Sequence, residues 1–274
     1  MATAVSGTYR AGYIPALAGR VYDLVATAAS QPDVKAAVEA NHDDNRWWPL
    51  FVSDWRVRMA VAGWSTRVSY AMIDTYADVV ARADTLGWSG LAGMDDKTLG
   101  EIVRPLGLTG ARVGYLRSLN TFIDGTSSTR DFDAASAEDI IGPFAAKVHG
   151  AGYKVAQCAA LYARGYHCGI IPVDSGMVTK LAPFLGVPLV SGPVAHEQLR
   201  QLLQACTAAR ADSYRALVAR LGFDVSIPAD VDPTWLVHLV LIYFKRLYLN
   251  GPHVRVCPHR PACTDFLDCN CGNP

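Results

Sequence analysis

Apolar residues recur at three- and four-residue intervals along most of the chain, and the strict alternation of half-buried strands is almost absent. Residues 21–40 carry the helical spacing with an interruption at Pro32, which cannot donate a backbone hydrogen bond inside a helix. Residues 55–83 read as one or two helices that end near Gly87. Asp95 stands where a carboxylate would cap a short helix over 96–103, and Pro105 stops it. After Gly107-Leu108-Thr109-Gly110 the pattern resumes from about Ala111 to Ile123, and 125–133 form a polar loop. Residues 137–148 are helical in pattern despite Pro143. His149-Gly150-Ala151-Gly152 then punctuates the chain before a helix over 153–163. Two glycines and Pro172 make 164–173 a loop, 175–185 and 196–221 are helical, and 222–233 is a turn-rich break. The most apolar window, 235–249, is interrupted by His238, Lys245 and Arg246 and is shorter than the roughly 20 residues of a membrane span. The predicted class is all-α, without an internal repeat.

Composition narrows this. Apolar residues make up 51% and charged residues 18% of 274, which excludes a disordered chain and leaves length for one large domain or two interlocked lobes. The first ten residues hold no basic stretch followed by an apolar run, so no signal peptide is expected. The reading is a soluble, cytoplasmic monomer with no membrane partner. The 25 basic and 25 acidic residues cancel, but they are unevenly placed. Residues 140–180 set Lys147, Lys154, Arg164 and Lys180 against Asp174 alone, and 245–260 set Lys245, Arg246, Arg255 and Arg260 against no acid. Asp33, Glu39, Asp43, Asp44 and Asp54 lie early, so a neutral protein can present one basic face. Of seven cysteines, Cys158, Cys168 and Cys206 are scattered, whereas Cys257, Cys263, Cys269 and Cys271 crowd the end of the chain. An odd total with a terminal cluster fits a disulfide scaffold poorly. Four neighbouring thiolates suit an iron–sulfur cluster, or zinc with His253 and His259 as further donors.

Three features then follow in order: Gly150-Ala-Gly152-Tyr-Lys154, Pro172-Val-Asp174, and the cysteine tail. Singly, each has an ordinary explanation. A Gly-x-Gly before a helix is more often a tight helix–helix turn than a phosphate site, although its amides suit an anion. A lysine in a first helical turn is usually solvated, and becomes a nucleophile only when partly desolvated. An aspartate before a helix is usually an N-cap, a role compatible with chemistry.

Together they resemble the helix–hairpin–helix DNA glycosylase superfamily, in particular the endonuclease III branch with its C-terminal [4Fe-4S] loop. Val148-His149-Gly150-Ala151-Gly152-Tyr153-Lys154-Val155-Ala156 keeps both glycines and the lysine of the family hairpin, with His149 in place of a proline. Val173-Asp174 matches the family's catalytic aspartate. Upstream, 62–69 is similar to a family helix start, and Leu106-Gly107-Leu108-Thr109-Gly110-Ala111-Arg112 to a family turn. The tail departs from the family spacing, as Cys257-x5-Cys263-x5-Cys269-x-Cys271. The resemblance implies an all-α, two-lobed fold in which Lys154 and Asp174 face each other across a cleft. It implies a DNA glycosylase with AP-lyase activity, in which Lys154 forms a Schiff base with the sugar and Asp174 assists it. Gly150 and Gly152 would bind phosphate, and Trp64 and Leu108 would fill the space left by a flipped base, ordinary core packing being the equal alternative for those two. Cys257, Cys263, Cys269 and Cys271 would hold a [4Fe-4S] cluster, with zinc as the alternative. The corresponding segmentation is an N-terminal helical extension over 1–54, a helical lobe over 55–149, the hairpin and aspartate segment over 150–185, a second lobe over 186–252 and the cysteine loop over 253–274. A net charge of zero is low for a DNA-binding protein, and Tyr166-His167-Cys168 is an unusual loop. Two other classes therefore stay open: a glycosylase-like enzyme using Lys154 for imine chemistry on a small metabolite or modified base, and a non-catalytic DNA binder.

Overall fold

The computed structural model describes residues 13–125, 132 and 134–250. Their regular structure is helical, and pairing of extended backbone among them is an isolated bridge between Asn45 and Trp48. The helices are α1 (Tyr13–Ala29), α2 (Pro32–His42), α3 (Trp55–Trp64), α4 (Ile73–Gly93), α5 (Asp96–Val103) and α6 (Thr109–Asp124). They continue with α7 (Ala137–Lys147), α8 (Tyr153–Arg164), α9 (Val194–Ala208), α10 (Ala211–Leu221) and α11 (Thr234–Phe244). Two 3-10 turns, Tyr70–Met72 and Arg104–Leu106, and two π turns, Met177–Leu181 and Lys245–Leu249, complete the set; the first π turn runs on into a short helical turn at Ala182–Phe184. No helix among the described residues is long and apolar enough to cross a membrane.

Local chemistry explains most boundaries. Pro32 starts α2 instead of breaking a helix, because a first-turn residue needs no amide donor. Gly87 breaks the helical φ/ψ of α4 at φ +63, but the chain returns to helix and runs on to Gly93. The Asp95 carboxylate accepts from the amides of Lys97 and Thr98, and Pro105 sits in a 3-10 turn that closes α5. The expected helix over 196–221 divides between α9 and α10 at Arg210, whose φ/ψ is not helical.

The chain divides into two compact units. The first joins residues up to Asp43 to those from Ile171 onward, so the N-terminal helices pack with the C-terminal part of the chain. Its centre is α11, buried along its whole length and packed on α1, α2 and α9. A helix apolar on every side belongs inside a core. The Trp235 indole donates to the His42 carbonyl at 2.8 Å, fixing α11 to the end of α2.

The second unit spans Asp44–Ile170. Its central pair is α3 on α8, where Ala60, Ala62, Ala156, Ala159 and Ala160 are buried and let the two backbones come close. The turn 148–152 joins α7 to α8, and these two helices pack together as the hairpin pair. Gly63 shows how tight this unit is. A Cβ there would lie 2.1 Å from the Tyr115 ring, and Tyr115 is itself buried and donates to the Met59 carbonyl at 2.8 Å. Gly63→Ala is therefore expected to cost about 3 kcal/mol, the upper range for overpacking, and to lower Tm by roughly 10 °C. Thermal unfolding followed by circular dichroism checks this; an unchanged Tm would contradict the close approach.

Candidate functional site

The hairpin turn is built from small contacts. Gly150 has φ +75, a left-handed conformation that disfavours any side chain. His149 donates its amide to the Ser118 hydroxyl at 2.9 Å, and that hydroxyl donates to the Lys147 carbonyl. The His149 ring lies 3.3 Å from where a Cβ on Gly114 would stand, so α6 receives it through a glycine. Gly150 and Gly152 are exposed, and Gly152 is the N-cap of α8. The first amides of that helix thus lie beside an open turn, as anion binding requires. Lys154 is in the first turn and half-buried.

Two further turns of this unit are held by one residue to which the sequence assigns no role of its own. Arg112 is buried, and its guanidinium donates to the carbonyls of Gly107 at 2.8 Å, Thr66 at 3.0 Å, Leu106 at 3.1 Å and Trp64. Burial holds its pKa below the usual arginine value. The turns it joins are the two upstream segments matched in the sequence, and each contains a non-glycine residue in the left-handed region, Arg67 at φ 58 and Leu108 at φ 49. Such a conformation costs about 1 kcal/mol per residue. Leu108 is 49% exposed at the start of α6. Trp64 is different: its side chain has no exposed surface, and its indole donates to the Arg112 carbonyl at 3.3 Å. Leu108 is thus presented at the surface, whereas Trp64 packs in the core, the alternative the sequence had left open for it.

Asp174 lies in the first unit, and Lys154 in the second. Asp174 caps the helical turn that follows it: its Oδ1 accepts from the Met177 amide at 2.8 Å. Its Oδ2 forms an ion pair with the Lys245 ammonium, a residue that no motif singled out. The Lys245 side chain is 4% exposed and that of Asp174 28%. Gly176 makes room for the pair, since a Cβ there would stand 3.0 Å from Lys245 Cδ and 3.1 Å from Nζ. The signal for Lys245 was present as a charged residue inside the most apolar window of the chain. A buried ammonium needs a partner, and the sequence alone did not say which.

The basic segment is partly committed to the fold. Arg164 donates to the carbonyls of Phe132 and Ala135 and lies over the Phe132 ring, while Lys180 donates to the Leu249 carbonyl at 3.0 Å. Lys147 remains exposed beside the hairpin. In the loop 165–169, Tyr166 is buried and its hydroxyl donates to the Trp48 carbonyl, which makes it a structural residue. Cys257, Cys263, Cys269, Cys271, Arg255 and Arg260 lie outside the described residues.

No protein-family model and no curated protein matches the chain. Among solved structures, it is similar to the H. pylori 3-methyladenine DNA glycosylase MagIII, solved bound to 1,N6-ethenoadenine. The TM-score is 0.59 at 16% identity, over 82% of this chain and 97% of that one. The all-α class expected from the helical spacing is thus realised as a fold shared with that glycosylase.

Proposed function

We propose that the protein is a DNA glycosylase that excises a damaged base, with an alkylated or etheno purine as the substrate class. The observation that carries this reading is the Asp174 carboxylate, held on both oxygens at the start of the helical segment beyond a helix–hairpin–helix turn, in a fold shared with a DNA glycosylase. In this reading the exposed amides around Gly150 and Gly152 bind a backbone phosphate, and Leu108, kept outward by the Arg112-linked turns, fills the gap left by the flipped nucleotide. Asp174 stabilises positive charge developing on the sugar as the glycosidic bond breaks.

The lyase step is the finer part of the proposal. Neutral Lys154 attacks C1′ with its lone pair, the glycosidic bond breaks, and the base leaves with the bonding electrons and takes up a proton. The amine loses one proton, its lone pair forms the C=N bond as the C1′–O4′ bond breaks, and O4′ takes that electron pair and a proton, leaving an iminium. Removal of a C2′ proton then breaks the C3′–O bond and cuts the strand on the 3′ side. Borohydride with abasic-site DNA tests the lyase step, because reduction fixes the iminium as a stable cross-link. A trapped adduct is expected, with DNA binding that weakens as salt rises. If the protein neither binds DNA at low salt nor is trapped, while Lys154 condenses with a small carbonyl compound, imine chemistry on a metabolite replaces this reading.

The tail is proposed to take a [4Fe-4S] cluster on Cys257, Cys263, Cys269 and Cys271, in the endonuclease III manner. The donor set itself, four soft thiolates within a short stretch, fits that cluster or zinc. The group would fold the tail, and no step of the reaction runs through it. Anaerobically purified protein is expected to be brown with about four irons per chain. Colourless protein with one zinc would replace the cluster by a zinc site, and a disulfide in reduced protein would contradict both.

A further inference from the structure

Lys245 stands at the junction of α11 with the π turn Lys245–Leu249, in the most apolar window of the chain. Sealing an ammonium away from water costs several kcal/mol unless a carboxylate answers it. The answer here is the one carboxylate that the proposed reaction uses. The two members of the pair are unequally placed, the lysine sealed and the aspartate partly open to solvent. Around them the structure is specialised. Gly176 is the residue whose missing side chain admits the lysine stem, and the π turns at 177–181 and 245–249 pack on each other. Such turns insert a residue into a helix and often mark sites where a side chain must be re-aimed. A second lysine ties the same two segments without touching Asp174: Lys180 donates to the Leu249 carbonyl at 3.0 Å and to Asn250 Oδ1 at 3.1 Å. Tethering is therefore provided independently of Lys245.

We infer that Lys245 is a positioning residue for base excision, holding the Asp174 carboxylate in one orientation from its buried side while the Met177 amide fixes the other oxygen. The inference rests on the glycosylase reading. A carboxylate with one anchor removed can rotate about its side-chain torsions, and a displacement of about 1 Å at a reacting group costs on the order of 100-fold in rate.

The test is single-turnover release of the damaged base, measured beside DNA affinity and Tm. Lys245→Met is expected to lower the release rate about 100-fold with DNA affinity within about threefold of wild type, since the hairpin amides are untouched. Lys245→Arg, which can still pair with the carboxylate, should restore the rate to within about tenfold of wild type, and Lys180→Met should leave it within about threefold. If Lys245→Met does not fold, Lys245→Gln takes its place under the same criteria. A folded Lys245→Met or Lys245→Gln with wild-type release overturns the inference and leaves the glycosylase reading standing. So does an equal loss in Lys180→Met, which would make the ion pair a tether only. Absence of release by the wild-type protein overturns both.

Discussion

Asp174→Asn is expected to reduce base release by about 100- to 10,000-fold while DNA binding stays near the wild-type level. The substitution keeps the shape of the side chain and leaves an oxygen to accept from the Met177 amide, so the cap survives. It removes the negative charge that acts when the sugar becomes cationic, an interaction made mainly in the transition state, so the rate falls and not the affinity. It also leaves the sealed Lys245 ammonium without its ion-pair partner, and some loss of Tm is expected alongside. Single-turnover kinetics with titration of DNA binding separates the two effects. A rate loss matched by an equal loss of binding would place Asp174 in the fold only.

Lys154→Gln is expected to abolish the borohydride-trapped adduct with abasic DNA altogether, because an amide has no nucleophilic lone pair to form an iminium. Binding should persist, since the amides at the start of α8 come from the backbone and survive the change. Gel separation after borohydride reduction reads this directly. Trapping undiminished in Lys154→Gln would move the Schiff base to another amine. Base release without any trapping, in the wild type as well, would remove the lyase step and leave a hydrolytic glycosylase.

What the sequence revealed, and what it concealed, follows from the range of the forces involved. Helix periodicity and capping are local, so the all-α class, the Asp95 cap and the turn before α8 could be read from neighbouring residues. The glycines at 150 and 152 were legible because an open turn before a helix leaves a local signature. Partnerships between distant residues leave none. Arg112 reaches back to carbonyls at 64 and 66, and Lys245 closes on a carboxylate at 174, both set by packing that no periodicity reports. For Trp64 the sequence left a wedge and a core residue equally open, and burial, which depends on distant packing, places it in the core. The exposure and the left-handed backbone of Leu108 have no local signature and became apparent once the turn was seen.

The central claim is that this fold removes a damaged base from DNA. It is tested most directly by counting free base. Wild-type protein in excess is incubated with duplexes each carrying one alkylated, etheno, deaminated or oxidised base, and the released base is quantified by chromatography. The account predicts one equivalent of free base from at least one duplex of the alkylated or etheno class, and none from that duplex with Asp174→Asn over the same time. Folded wild-type protein that leaves every duplex with its full complement of bases would contradict it.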